Sequence, residues 1–172
     1  YMGLVTANGG LEHYDGKIRI VDPDGKIVAD QLDPKKYFEY VGEAVEPWSY
    51  MKFPYYRPMG YPEGMYRVGP LARLNLSSHC GTPLADEELR EFKKHGKNGV
   101  VQSTFLYHYA RLVETIFCLE RSKDILENPE VYLQHTWAKA SVNQREGVGV
   151  AEAPRGTLVH HYKVDEEGML TW

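Results

Sequence analysis

The chain has 172 residues and a formal net charge of −4 at neutral pH. This length suits one compact domain or a piece of a larger one, and the mild acidity gives no electrostatic basis for binding nucleic acid. No apolar run approaches the roughly 20 residues that cross a membrane. Cys80 and Cys118 lack the spacing of a disulfide framework, which is typical of a reducing compartment. We therefore expect a cytoplasmic protein without nucleic-acid or membrane partners.

The pattern of elements indicates an α+β fold. Residues 1–30 are predicted to form a β-hairpin or small meander, because Asp15-Gly16 and Asp24-Gly25 lie between short alternating runs. Aspartates followed by glycine are typical turn residues. We therefore interpret Asp15 and Asp24 as turn formers and not as ligands.

A short helix is predicted over residues 33–46. Asp33-Pro34 has the form of a helix N-cap followed by a first-turn proline, and Pro47 would end the helix. Residues 47–83 begin with a stretch dense in proline and aromatic side chains. We predict an ordered but irregular segment there, with a packing or interfacial role.

Two helices are predicted within residues 84–127. The first covers 84–95, with acidic residues in its first turn and a glycine after its end. Its inward side chains are predicted to be Leu84, Leu89 and Phe92. The second covers about 101–126 and carries a wide apolar stripe, so we expect it to be one long, largely buried helix. Cys118 lies beside that stripe and is expected to be a small buried side chain.

Residues 147–172 hold the stretch with the clearest chemical character. Pro154 fixes its own φ, and Gly156 permits close backbone approach, so Arg155 is predicted on a tight, pre-set bend. A strand should follow, with His160 and His161 on opposite faces, and then a C-terminal β-hairpin. A stiff loop that presents one guanidinium can direct fixed positive charge at a small reactive group.

This stretch, GVGVAEAPRGTLVHHY over residues 147–162, resembles the G-x-G-x-x-E-A-P-R-G-x-L-x-H-H segment of the large catalytic subunit of nickel–iron hydrogenases. A second block over residues 50–75, followed by Thr-Pro-Leu-Ala at 82–85, resembles the cytosolic NAD-reducing, bidirectional type in particular. The two blocks stand in the family's order. The resemblance covers most of the chain and implies a single internal segment, 1–172, of a larger subunit.

One departure from the family is large. The family holds its metals on two Cys-x-x-Cys motifs, whereas Cys80 and Cys118 are isolated. We therefore expect this chain to supply no metal ligand, to carry no nickel–iron centre and to be inactive by itself.

The resemblance also implies roles for residues around the bend. Arg155 would lie over a nickel–iron centre with cyanide and carbon monoxide ligands, as the catalytic side chain of this segment. Ala153 and Pro154 would line the pocket of the diatomic ligands. The remaining candidates, as supports that orient Arg155 or the loop, are Glu152, Thr157, His160 and His161.

The implied activity of the parent subunit is reversible oxidation of dihydrogen, with electrons passed to NAD. The implied partners are a small subunit with iron–sulfur clusters and flavin-containing diaphorase subunits. Three alternatives remain open: a deazaflavin-linked or other-acceptor hydrogenase, a metal-free relative in a respiratory complex, and a non-catalytic α+β interaction module.

Overall fold

A computed structural model describes residues 1–137, 139 and 141–172. Helices and strands are both distributed along this part of the chain, which confirms the α+β class. The strands are β1 (Met2–Val5), β2 (Lys17–Val21), β3 (Ile27–Leu32), β4 (Val41–Val45), β5 (Lys52–Tyr56), β6 (Glu146–Ala153) and β7 (Gly156–Lys163). The α-helices are α1 (Tyr37–Tyr40), α2 (Pro70–Leu76), α3 (Pro83–Lys94) and α4 (Tyr107–Glu127). None of the described helices is long and apolar enough to cross a membrane.

The N-terminal meander is confirmed as an antiparallel sheet in the order β1-β2-β3. Its second turn forms as predicted, because the carboxylate of Asp22 accepts the backbone N–H groups of Asp24 and Lys26, both at 2.9 Å. Gly25 adopts a φ of 90° in this turn, a conformation that favours glycine. The apolar face of the sheet contributes Leu4, Ile18 and Ile20 to the core.

The predicted helix over 33–46 is correct only in its first part. Asp33 caps the helical segment by accepting the N–H of Lys35 at 3.2 Å, but α1 ends at Tyr40. Residues 41–45 form β4 instead, and β4 pairs antiparallel with β5 inside the region predicted to be irregular. Pro54 is tolerated in β5 because this sheet has two strands only, so one side of each strand needs no ladder partner.

The segment predicted to be irregular also contains α2. Every residue of this seven-residue helix is buried. Leu71 and Leu74 pack in the main core with Leu89, Phe92 and Val113. Strand β5 and helix α2 therefore correct the prediction of irregular structure throughout residues 47–83.

Helix α3 lies close to its predicted position. Leu89 and Phe92 are buried as predicted, but Leu84 is 58% exposed, so its predicted inward orientation is wrong. Leu84 stands in the first turn, where its N–H and that of Ala85 both donate to the carboxylate of Glu120 at 3.0 Å. The helix start therefore faces the side of α4, and its first apolar residue points outward.

Helix α4 begins at Tyr107, after a 3-10 turn, and not near residue 101. Its buried side chains are Ala110, Val113 and Glu114. Leu112 and Leu119 are 62% and 67% exposed, so the expectation of a largely buried helix is wrong for this chain. Cys118 is exposed as well, against the prediction. The cause is geometric, because the apolar stripe is wider than the face that α2 and α3 cover.

Candidate functional site

Strands β6 and β7 form a hairpin with a turn of two residues, Pro154 and Arg155, where the sequence predicted a loop followed by a strand. The C-terminal hairpin predicted after that strand is present only as a bridge between Val164 and Leu170. Strands β6 and β7 pair residue by residue up to Ala153 opposite Gly156. Both turn residues are exposed. Within the described part of the chain, the guanidinium of Arg155 makes no side-chain hydrogen bond or ion pair. The structure therefore places Arg155 on a tight, exposed bend, as the sequence predicts.

The turn lies directly against Val68 and Gly69, which precede α2. A Cβ at Gly69 would lie 2.7 Å from the carbonyl oxygen of Arg155, and a Cβ at Gly156 would overlap the side chain of Val68. Tyr107 holds the other side of this contact by donating its hydroxyl to the Val68 carbonyl at 2.9 Å. The two sequence blocks of 50–75 and 147–162 thus meet at the turn, and glycine is required on both surfaces.

A buried ion cluster of Arg73, Glu114 and Glu152 contacts the residues that lead into the turn. Arg73 is 1% exposed, and its Nε and Nη2 bind the two carboxylate oxygens of Glu114 at 2.5 and 2.7 Å. Its Nη1 binds Glu152 at 3.0 Å and the carbonyl oxygen of Ala153 at 2.9 Å. Sequence reasoning missed this cluster because Glu114 and Glu152 lie 41 and 79 residues from Arg73 along the chain. The available signal was an arginine in the short run PLARLNL, in which Asn75 is the one other polar residue.

Glu152 connects this cluster to both strands of the hairpin. Its Oε1 accepts the hydroxyl of Thr157 and the backbone N–H of Leu4, each at 2.9 Å. Its own backbone N–H donates to the carbonyl of His13 at 2.5 Å. The structure therefore brings the predicted residues Glu152, Ala153, Pro154, Arg155 and Thr157 into one place, and their functional roles remain predictions.

A cavity of about 470 Å³ opens beside the turn, between it and α4. The ring of His13 stacks on Phe117 with centroids 5.5 Å apart, and its Nε2 lies 3.9 Å from Glu114. Burial lowers the pKa of His13, and the nearby Glu114 opposes that shift. Burial raises the pKa of the Cys118 thiol, which favours the protonated, unreactive form. The cavity is lined in part by His13, Arg111, Glu114, Cys118, Ala153 and Pro154.

His160 and His161 point to opposite faces of β7, as predicted: His160 is exposed and His161 is half-buried. They stand five and six residues from Arg155 along the strand, roughly 16–20 Å at the usual rise per residue. His161 instead contacts the hydroxyl of Tyr37 at 3.2 Å and the carboxylate of Glu146 at 2.7 Å. The hydrogen bond from His161 lowers the pKa of Glu146. The structure thus places neither histidine beside the turn.

A nickel–iron pair needs soft thiolate ligands. Within residues 1–137, 139 and 141–172, no group of three His, Cys, Asp or Glu could hold a metal ion. The carboxylates nearest the turn are already bound to Arg73. These residues therefore do not fit the metal pair as ligands, and the charged group that the turn presents is the exposed guanidinium of Arg155.

Comparison with known proteins identifies the family. The nickel-dependent hydrogenase profile matches residues 20–171. One relative belongs to the F420-non-reducing hydrogenase vhu of Methanococcus voltae; it is 42% identical over 171 residues, which are 99% of this chain and 40% of that protein. The beta subunit of the NAD-reducing hydrogenase HoxS of Cupriavidus necator is 40% identical over 173 residues, 99% of this chain and 35% of that protein.

A solved structure agrees with these relatives. The crystal structure of an NAD+-reducing [NiFe]-hydrogenase in the H2-reduced state matches with a TM-score of 0.91 and 42% identity, over 99% of this chain and 38% of that one. The chain belongs to the nickel-dependent hydrogenase family. It spans about two fifths of the length of the relatives it matches.

Proposed function

We propose that the protein carrying this segment is the catalytic subunit of a nickel-dependent hydrogenase that oxidises dihydrogen reversibly. The observation that carries the proposal is the Pro154–Arg155 turn of a chain of this family, whose exposed guanidinium has no ion-pair partner among the described residues. The nickel–iron centre, with cyanide and carbon monoxide ligands, would supply the hydrogen-splitting chemistry. Its thiolate ligands would come from residues outside this segment, so the segment by itself would be inactive.

In this proposal Arg155 is the catalytic side chain of the segment. Arginine is suited to this role because a guanidinium is a permanent cation that donates several N–H groups from a rigid plane. It can therefore hold charge beside the reacting dihydrogen without exchanging protons itself. Ala153 and Pro154 would line the same pocket, while Glu152 and Thr157 would hold the turn. His160 and His161 lie farther along β7 and would act through the hairpin.

The Arg155→Lys variant of the full-length protein tests this role. A lysine keeps one charge but loses the planar pair of donors, so we expect hydrogen turnover to fall by about 100-fold or more while nickel content stays unchanged. Hydrogen-dependent dye reduction and nickel analysis of the purified complex measure the two quantities. Full turnover in this variant would refute the role of Arg155.

We further propose NAD as the physiological electron acceptor, reached through a small subunit with iron–sulfur clusters and flavin-containing diaphorase subunits in the cytoplasm. The Tyr-Pro-Glu-Gly and Thr-Pro-Leu-Ala stretches and the NAD+-reducing structural neighbour support this acceptor. The F420-non-reducing relatives, which are equally similar, favour the alternative of another acceptor. Hydrogen-dependent reduction of NAD, assayed beside a viologen dye in the purified complex, separates the two.

A further inference from the structure

We propose that Arg73 is a positioning residue for Arg155, because its buried guanidinium fixes the backbone of the turn that carries Arg155. This inference rests on the proposed function, in which Arg155 acts on the substrate. Arg73 acts through Ala153 and Glu152, the two residues that lead into the turn.

The guanidinium of Arg73 contacts two separate elements. Its Nε and Nη2 form a two-point contact with Glu114 on α4, and Nη1 reaches both the Ala153 carbonyl and the Glu152 carboxylate. One planar group therefore joins α4 to the last two residues of β6 before the turn. A lysine offers three donors from a single flexible point and cannot reproduce both contacts.

The contacts of Arg73 restrain β7 as well as β6, because Glu152 joins the two strands. Glu152, whose side chain is fully buried, also accepts the Thr157 hydroxyl from β7 and the Leu4 N–H from β1. On the other side, Val68 and Gly69 press on the turn without room for an added methyl group. The backbone at 153–157 is thus held from two sides, while the side chain of Arg155 stays free to meet a substrate.

The test compares Arg73→Lys with a matched control in the full-length protein and its partners. The control is Arg19→Lys, because Arg19 also makes a two-point contact, with Asp30, and binds one backbone carbonyl, that of Leu76. Those partners lie on β3 and α2 and not at the turn. The measurements are nickel content, hydrogen–deuterium exchange of the backbone amides of residues 153 and 155–157, kcat, and KM for dihydrogen.

For Arg73→Lys we expect unchanged nickel content, exchange at the turn at least tenfold faster, and kcat at least tenfold lower with KM changed less than twofold. For Arg19→Lys we expect none of these changes. Unchanged exchange at the turn in Arg73→Lys, or equal effects in the control, would overturn the proposal. So would a change confined to KM.

A second variant keeps the test decisive if Arg73→Lys loses nickel or fails to fold. Thr157→Val removes only the hydroxyl that binds Glu152, and we expect a smaller change of the same kind in exchange and kcat. Normal exchange and normal kcat in Thr157→Val would then reject the proposal. The Arg155→Lys variant separates the two ideas, because full turnover there refutes the proposed role of Arg155 while the exchange data still report on Arg73.

Discussion

At the scale of single residues, the site depends on one buried cation and two buried carboxylates. The side chains of Arg73 and Glu152 are 1% and 0% exposed, and that of Glu114 is 11% exposed. A buried ion cluster adds little net stability when complete, because desolvation offsets much of the attraction, but removing one partner costs about 3–5 kcal/mol. Burial opposes the charge of Arg73, yet the two glutamates raise its pKa overall, so the guanidinium stays charged. The cluster thus fixes geometry more than it adds stability.

His13 gives this cluster a pH dependence. Burial lowers the pKa of His13 in the folded chain, so the unfolded chain binds this proton more readily. The contribution of His13 to stability is therefore retained above about pH 6.5 and is lost as the pH falls below it. We expect the free energy of unfolding of this chain to fall less steeply between pH 7 and pH 5 in His13→Phe than in the unsubstituted chain. Denaturant titrations at several pH values measure both slopes, and identical slopes would contradict the assignment.

At the scale of elements, the β6–β7 hairpin is held by the hydrogen bonds between its two strands and by the packing of its turn against the rest of the chain. Its turn is pressed onto Val68 and Gly69, which in turn precede the fully buried helix α2. The contact is too close for any side chain larger than hydrogen at Gly156. Packing therefore requires a glycine at position 156 but not at position 149 of the same hairpin, and substitution distinguishes the two.

We expect Gly156→Ala to destabilise the chain by about 1–3 kcal/mol, because the added methyl group must displace Val68. Gly149→Ala is the matched control: a Cβ there meets nothing within 4 Å, so the same substitution should be neutral or slightly stabilising. Thermal or denaturant unfolding of both variants measures the difference. Equal stability of the two variants would show that the turn is not docked as described.

The sequence predicted features that depend on neighbouring residues, but not the pairings and contacts between residues that are far apart in the chain. The turn at Asp24-Gly25, the cap at Asp33 and the bend at Pro154 were all predictable, because each depends on neighbouring residues. The pairing of β4 with β5 was not, since Pro54 argues against a strand until the two-stranded sheet is known. The contacts of Arg73 with Glu114 and Glu152 depend on the tertiary fold, which no local pattern encodes.

At the scale of the whole molecule, one surface is left without a partner among the described residues. Helix α4 carries a wide apolar stripe, of which α2 and α3 cover one side only. Leu112, Leu119 and Ile125 are each more than half exposed. Contiguous exposed apolar surface of this kind is typical of an interface. Because the chain spans about two fifths of its relatives' length, we expect the full-length protein to cover this face.

The isolated 172-residue chain should therefore bind a hydrophobic fluorescent dye and self-associate. We expect the double variant Leu112→Gln, Leu119→Gln to reduce dye fluorescence at least twofold. The control is Arg121→Gln, Lys123→Gln on the same helix, which removes two exposed charges but no leucine. Dye titration and sedimentation of the three chains measure the effect, and equal fluorescence in all three would contradict an accessible α4 face.

The protein that carries this segment is proposed to be a working nickel-dependent hydrogenase. The most direct test is the metal content and hydrogen-dependent electron transfer of the full-length protein purified with its partners. We expect about one nickel and one iron per large subunit, outside any iron–sulfur clusters of the partner subunits, together with reduction of NAD or a viologen dye under dihydrogen. A correctly folded complex that contains no nickel and transfers no electrons from dihydrogen would contradict the claim and leave the interaction-module alternative in its place.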